Sequence, residues 1–220
     1  MDESHSSDHL SGSLTDLMTS LMVIFILLLL VFISHTAAKD AVLTDVLLAK
    51  LKQELKPQGF NENSIRPDPR DRNAILVIVP GKLMNFELQK SDLKPDGRHY
   101  LRTHIPGFAD VLCGAEFKDS IDSIVVEGHT DRQRWGKSLE ESQNNNLKLS
   151  QDRSMEVVKE VLADLNGRPA DKAFFLEKLS ATGRGDQDPE KTDSQSRRVI
   201  FKIRIKAKDQ PTITRRLDQK

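Results

Sequence analysis

Val126-Glu127-Gly128-His129-Thr130-Asp131, followed fifteen residues past Asp131 by Asn146-x-x-Leu149-Ser150-x-x-Arg153, is the stretch on which the reading of this chain turns. Ser123–Glu127 (SIVVE) is a short apolar run with β-branched residues, suited to a buried strand. That leaves Asp131 at the strand's end. Leu147–Leu165 shows helical spacing, which sets Arg153 at a helix start. A carboxylate and a guanidinium so placed supply an anion for an ammonium and a bidentate cation for a carboxylate. The same two side chains can instead pair with each other or cap their elements. Ser150, three residues before Arg153, reads as a helix cap rather than a nucleophile.

Working outward, Ala74–Val79 (AILVIV) reads as a second buried strand. Phe174–Leu179 and Arg198–Ile205 read as the last two, the final one alternating Val199, Phe201, Ile203 and Ile205. Gly97–Cys113 has helical spacing. Strand–helix units with an antiparallel addition predict a small α+β sandwich. Upstream, Val42, Leu43, Val46, Leu47, Leu51 and Leu55 recur every three to four residues, an amphipathic helix over Ala38–Lys56 that Pro57 and Gly59 end. Its stripe suits core packing or the pairing of two copies of the chain, and we favour self-pairing. Residues 57–73, with Pro67-Asp68-Pro69, read as linker.

Across 220 residues, 33 Lys and Arg balance 33 Asp and Glu, which argues against a nucleic-acid binder. A single cysteine, Cys113, excludes an intramolecular disulfide framework and a multi-cysteine metal site. The zero charge averages unlike parts. Residues 1–36 hold four acids (Asp2, Glu3, Asp8, Asp16) and no Lys or Arg, so the other 184 carry 33 bases against 29 acids.

Leu21–Ile33 (LMVIFILLLLVFI) is thirteen consecutive apolar residues, and Leu14–Ile33 makes a stretch of twenty. At about 1.5 Å per residue that is roughly one hydrocarbon thickness. The acidic leader MDESHSSDHL lacks the basic start of a cleavable signal peptide, so a retained membrane span is expected. Asp16 is its anomaly, because an ionisable group inside a span is costly and marks function by default. Thr19 and Ser20, at i+3 and i+4, share its face. Acid and hydroxyls on one stripe suit a relay of protons or cations; a helix cap at the interface is the alternative.

Leu14-Thr15-Asp16-Leu17-Met18-Thr19-Ser20-Leu21 resembles the transmembrane helix of MotB-type stator subunits, and its Asp-Leu-Met-Thr core is shared with ZorB of Zorya phage defence. Three further motifs resemble the OmpA/MotB-type peptidoglycan-binding domain across residues 74–206. These are Phe86 with Ser91, Leu93, Lys94, Pro95 and Gly97; the stretch that opened this section; and Gly183-x-Gly185-x-x-x-Pro189 before Arg197-Arg198-Val199. The resemblance implies that Asp131 and Arg153 bind the zwitterionic diaminopimelate of the stem peptide, with Asn146, Leu149 and Arg198 lining or supporting the pocket. Two departures stand out. Residues 132–145 (RQRWGKSLEESQNN) form a longer connection than usual and hold the only tryptophan, Trp135. Ser196 replaces the usual Asn before the arginine pair.

The expected layout is a cytoplasmic tail (1–13), a transmembrane helix (14–34), a periplasmic helix and linker (35–73), the OmpA-like domain (74–206) and a flexible tail (207–220). The expected function is the peptidoglycan-anchored subunit of an inner-membrane, ion-driven stator, with Asp16, Thr19 and Ser20 carrying H⁺ or Na⁺ and no bound cofactor or metal. Implied partners are a second copy, a multi-spanning MotA/ZorA-like ring and peptidoglycan. The acidic leader and the Asp-Leu-Met-Thr core favour ZorB; a flagellar MotB-like stator and a passive membrane-to-wall tether are the alternatives. Catalysis is not expected, since the six histidines are scattered and no nucleophile–base set assembles. The leader's charge runs against the positive-inside rule. The wall ligand nevertheless demands a cytoplasmic N-terminus and a periplasmic C-terminal domain.

Overall fold

In the computed structural model, the backbone is described for residues 4–58, 62–84, 86 and 89–206, and the side chains for 16–32, 43–57, 63–79, 82–84, 86 and 89–206. The chain opens with a 52-residue helix, α1 (Ser4–Leu55). Contacts divide the chain near residue 42 into two compact units, each taken by itself below.

In the first unit, α1 runs unbroken through Asp16–Phe32. Every large apolar side chain there, from Leu17 to Phe32, is 42 to 66 % exposed. A helix apolar on all sides has no polar face to give to water, which sets this surface apart from that of a soluble helix. Among the described residues, no helix is long and apolar enough to cross a membrane. Both ends of the expected span, at 14–15 and 33–34, lie outside the described side chains, as does most of the expected leader. The expected tail at 207–220 lies outside the described residues.

The second unit spans Leu43–Gln210. Its described strands are β1 (Ile65–Asp68), β2 (Asp71–Pro80), β3 (Ile121–His129), β4 (Leu179–Gly183) and β5 (Arg198–Ile205). They form one sheet in the order β1-β2-β5-β3-β4. All neighbours are antiparallel except β3 and β4. Alternation along the strands sends Ile75, Val77, Val79, Ile124, Val126, Val199, Phe201 and Ile203 to a buried face. Helices α2 (Gly81–Met84), α3 (Pro95–Leu112), α4 (Leu139–Asp164) and α5 (Pro169–Lys178) follow the strands, and α6 (Asp193–Ser196) precedes β5. Leu101, Ile105 and Phe108 of α3, Val157 and Val161 of α4, and Phe174 and Phe175 of α5 complete the core.

Four expectations change. The sheet starts at Ile65, not at residue 74, so part of the expected linker is its edge hairpin. Leu47, Leu51 and Leu55 are fully buried in the same core, so the stripe expected to pair two copies packs within its own chain. Phe174–Leu179 is not a strand. Pro169 occupies the first turn of α5, where its missing N–H costs nothing, and the two phenylalanines enter the core from a helix. Finally, α4 begins at Leu139, eight residues before Leu147, so much of the expected long connection is helix.

That early start has a local cause. Ser138 caps α4 by accepting from the Glu141 N–H at 3.0 Å, while the Glu141 carboxylate accepts from the Lys137 N–H at 2.6 Å. This reciprocal arrangement is a variant of the capping box. Ser150 therefore lies inside the helix and caps nothing. Its hydroxyl donates to the Leu147 carbonyl and accepts from the Gly185 N–H at 2.8 Å. Close packing requires the two strand-end glycines beneath it. A Cβ on Gly128 would stand 2.1 Å from the Ser150 carbonyl oxygen, and one on Gly183 2.5 Å from the Gln151 nitrogen. The α4 backbone thus presses on the ends of β3 and β4, where the candidate site begins.

Candidate functional site

β3 ends at His129, and the chain beyond it is held by the Thr130 N–H donating to the Gly185 carbonyl at 2.8 Å. This brings Asp131 to the strand end. Its Oδ1 accepts from the Gln133 N–H at 3.2 Å, and Oδ2 accepts from the Arg197 guanidinium. Arg197 follows α6, whose Thr192 cap accepts from the Gln195 N–H. Asp131 is 7 % exposed, whereas the Arg197 side chain is 39 % exposed.

Arg153 enters from the interior of α4, not from its first turn. It is buried, its Nε donates to the Lys90 carbonyl at 3.0 Å, and its guanidinium lies 5.0 Å from the centre of the Phe86 ring. Burial holds its pKa down to about 10; the charge on Asp131 opposes the shift and that on Arg197 adds to it. Arg153 thus remains a cation at neutral pH, within electrostatic reach of both groups. A small cleft of about 300 Å³ is lined by Phe86, His129, Arg153, Arg197 and Arg198.

Arg198 is turned to structural use. Its Nη2 donates to the Asp188 carbonyl at 2.9 Å and its Nη1 to the Ser196 carbonyl at 3.4 Å, and Glu190 stands 3.8 Å away. Ser196 closes the same turn: its hydroxyl donates to the Thr192 carbonyl and accepts from the Glu190 N–H, both at 3.0 Å. His129 is buried, with Nδ1 3.4 Å from the Gln187 carbonyl and Nε2 3.8 Å from Glu127. That contact holds the Glu127 carboxyl below its ordinary range despite partial burial.

Asn146 is buried, and its side-chain oxygen accepts from the Trp135 indole N–H at 2.9 Å. Trp135 is strapped down at two more points. Its backbone N–H donates to the Ser142 hydroxyl and its carbonyl accepts from the Asn145 amide. The segment after Asp131 is therefore fastened to α4. Leu149 is half-buried beside it on the helix.

Of the residues expected to bind a wall ligand, Asp131 and Arg153 thus come together, Asn146 supports the loop, and Arg198 braces the 188–198 turn. Sequence reasoning missed Arg197 as the partner of Asp131; adjacency to Arg198 was its only signal. It also missed the bond from Trp135 to Asn146. In the first unit, Asp16, Thr19 and Ser20 are exposed on one face of unbroken helix. Among the described residues, no group of three or more His, Cys, Asp or Glu side chains is placed to hold a metal ion.

Residues 85–200 match the OmpA family. Comparison with curated protein sequences finds no match. Among solved structures, the chain is similar to a putative MotB-like protein from Desulfovibrio vulgaris, with a TM-score of 0.54 and 20 % identity over 77 % of this chain and 98 % of that one. It is also similar to the periplasmic domain of Helicobacter pylori MotB (TM-score 0.48, 16 % identity, 66 % of this chain and 80 % of that one). The OmpA-like domain of FopA1 from Francisella tularensis gives a TM-score of 0.39 at 22 % identity, covering 60 % of this chain and 75 % of that one.

Proposed function

The chain belongs to the OmpA family, and from that premise we propose that it is the peptidoglycan-anchored subunit of an ion-driven stator in the bacterial inner membrane. The observation that carries the anchoring role is a cleft lined by Arg153 and Arg197, with Asp131 bonded to Arg197 beside it and within electrostatic reach of Arg153. Asp131 receives the ammonium of diaminopimelate and Arg153 its carboxylate, as charge-assisted hydrogen bonds in a partly desolvated site. Phe86 and the Lys90 carbonyl hold the Arg153 guanidinium in place before the ligand arrives.

Asp16 supplies the ion step in this reading. The exposed apolar surface of residues 17–32 seats the helix in lipid and against a multi-spanning partner, and a second copy completes the ion path. H⁺ or Na⁺ is carried as cargo on the Asp16 carboxylate, beside the hydroxyls of Thr19 and Ser20. The N-terminus is then cytoplasmic and the wall-binding domain periplasmic. The Asp-Leu-Met-Thr core and the acidic leader support a ZorB-like defence component over a flagellar MotB-like one.

The anchoring role is tested with purified sacculi and the full chain in detergent. Asp131→Ala with Arg153→Ala removes two charge-assisted contacts of about 1.5 to 3 kcal/mol each, so retention should fall by about a hundredfold or more. Unchanged retention of the double variant overturns the reading.

A further inference from the structure

The face of the sheet turned away from the core carries a larger groove. Along β5, Arg198, Ile200 and Lys202 alternate with the core residues Val199, Phe201 and Ile203, so they stand on that opposite face. Two segments wall them in: the β1–β2 hairpin with Arg66 and Arg70, and residues 184–190 with Arg184 and Asp188. The groove holds about 1010 Å³, and its lining sets five arginine and lysine side chains against four carboxylates. Arg66 and Arg70 precede the residues that match the OmpA family, so the hairpin adds this wall to the family's core.

Asp188 joins the two walls. Arg70 donates to both of its carboxylate oxygens, and Arg184 donates to one of them at 3.3 Å. The Asp188 backbone has a φ of 55°, in the left-handed region that few residues besides glycine, Asn and Asp enter. Strain of this kind collects where a side chain has a task. One carboxylate does not satisfy the cluster, however. Both of its oxygens are engaged, yet the Nε of Arg184 and the Nε of Arg198 are shielded from solvent and meet no acceptor. Buried donors left so are costly and rare. The other three carboxylates are engaged elsewhere: Asp68 with Lys202 at 2.6 Å, Glu127 with His129 at 3.8 Å, and Glu190 with Arg198 at 3.8 Å. The unmet N–H groups call for an oxyanion with more oxygens than a carboxylate.

We propose that this groove binds a phosphoryl group, as the free ion or as a monoester, and that the Asp188 carboxylate is a built-in stand-in which the ligand displaces from Arg70 and Arg184. A phosphoryl group brings up to about two charges and three strong acceptor oxygens. Guanidinium forks match it in pairs, so Arg184 and Arg198 gain acceptors that Asp188 cannot supply. Exchange of one anion for the other never leaves the arginines without a partner. The site lies outside the peptidoglycan reading and does not depend on it.

The test is calorimetric titration of the full chain in detergent with inorganic phosphate and with glycerol 3-phosphate, at fixed ionic strength because salt screens such contacts. Asp188→Asn removes the competing charge and keeps a residue that tolerates the same backbone. It should bind about tenfold more tightly than the unaltered chain, the worth of one charge-assisted contact. Arg184→Gln, with Asp188 in place, should weaken binding by about tenfold, which tests the site even if Asp188→Asn fails to fold. Tighter binding of glycerol 3-phosphate assigns the groove to an ester, and tighter binding of inorganic phosphate to the free ion; either supports a phosphoryl site. An affinity in folded Asp188→Asn no higher than that of the unaltered chain overturns the stand-in role. Binding that Arg184→Gln leaves unchanged, or no binding of either probe, overturns the site, and the anchoring reading stands in each case.

Discussion

Asp16 and Asp131 are the two carboxylates on which the proposed function turns, and their surroundings are opposite. Asp16 stands exposed at the head of a run of exposed apolar side chains. Asp131 is buried and held by a backbone N–H and a guanidinium. The OmpA-like unit supplies the surroundings of its own carboxylate, so its chemistry can be read from one chain. The exposed apolar run beside Asp16 offers it no such burial, and in the proposed function its carboxylate takes its character from lipid and partners. In the proposed function, wall binding is thus a property of the fold, whereas ion transport belongs to the assembly.

The largest expected effect separates the two regions outright. Asp16→Asn should abolish ion-driven activity in cells while sacculus retention stays intact; full activity measured as ion flux would dissolve the distinction. A second test asks where the boundary lies. Leu51 belongs to α1 but is fully buried in the core of the OmpA-like unit. Leu51→Ala should cost about 2 to 5 kcal/mol in urea unfolding. A cost near zero would return the stripe to a surface that pairs two copies.

A smaller effect probes the loop beside Asp131. Trp135→Phe keeps the aromatic ring but leaves the buried Asn146 oxygen without its donor, a loss of about 1 to 3 kcal/mol in stability. Wall-ligand affinity should weaken with it, because the strap fixes the segment that follows Asp131. Unchanged unfolding and affinity would detach Trp135 from the site.

The smallest effect is one of pH. Asp188 is held down to about 2, chiefly by its bond to Arg70 against some desolvation. Its folded pKa thus lies below its unfolded one, so its stabilisation is present above about pH 4 and is lost as pH falls toward 2. Urea midpoints should drop over that window in the unaltered chain and drop less in Asp188→Asn. Identical pH profiles would remove Asp188 from the bracing of the turn that carries Arg197 and Arg198.

Much of the fold was legible in the sequence. β2, β3 and β5 announce themselves through β-branched, apolar runs, and α3 through its spacing. Phe174–Leu179 was misread because a short apolar run with two aromatics fits a strand and a buried helix equally well; Pro169 at the first turn was the overlooked signal. The start of α4 was hidden for a related reason. Ser138 and Glu141 cap it within a polar segment that carries no apolar stripe.

The site divides along the same line. Asp131 and Arg153 were legible because their motifs are local and their charges complementary. The Arg197 contact was not, since it joins residues 66 positions apart through the α6 turn. Sequence alone determined which stretch is apolar throughout, which carboxylate stands beside it, and which charged pair ends a strand and meets a helix. Those are properties of composition and short-range periodicity. Only the tertiary structure decided that Leu47, Leu51 and Leu55 pack inward, that Trp135 is tied to Asn146, and that Asp131 answers to Arg197. Such pairings depend on how strands and helices from distant parts of the chain are brought together, and no local pattern encodes that distance.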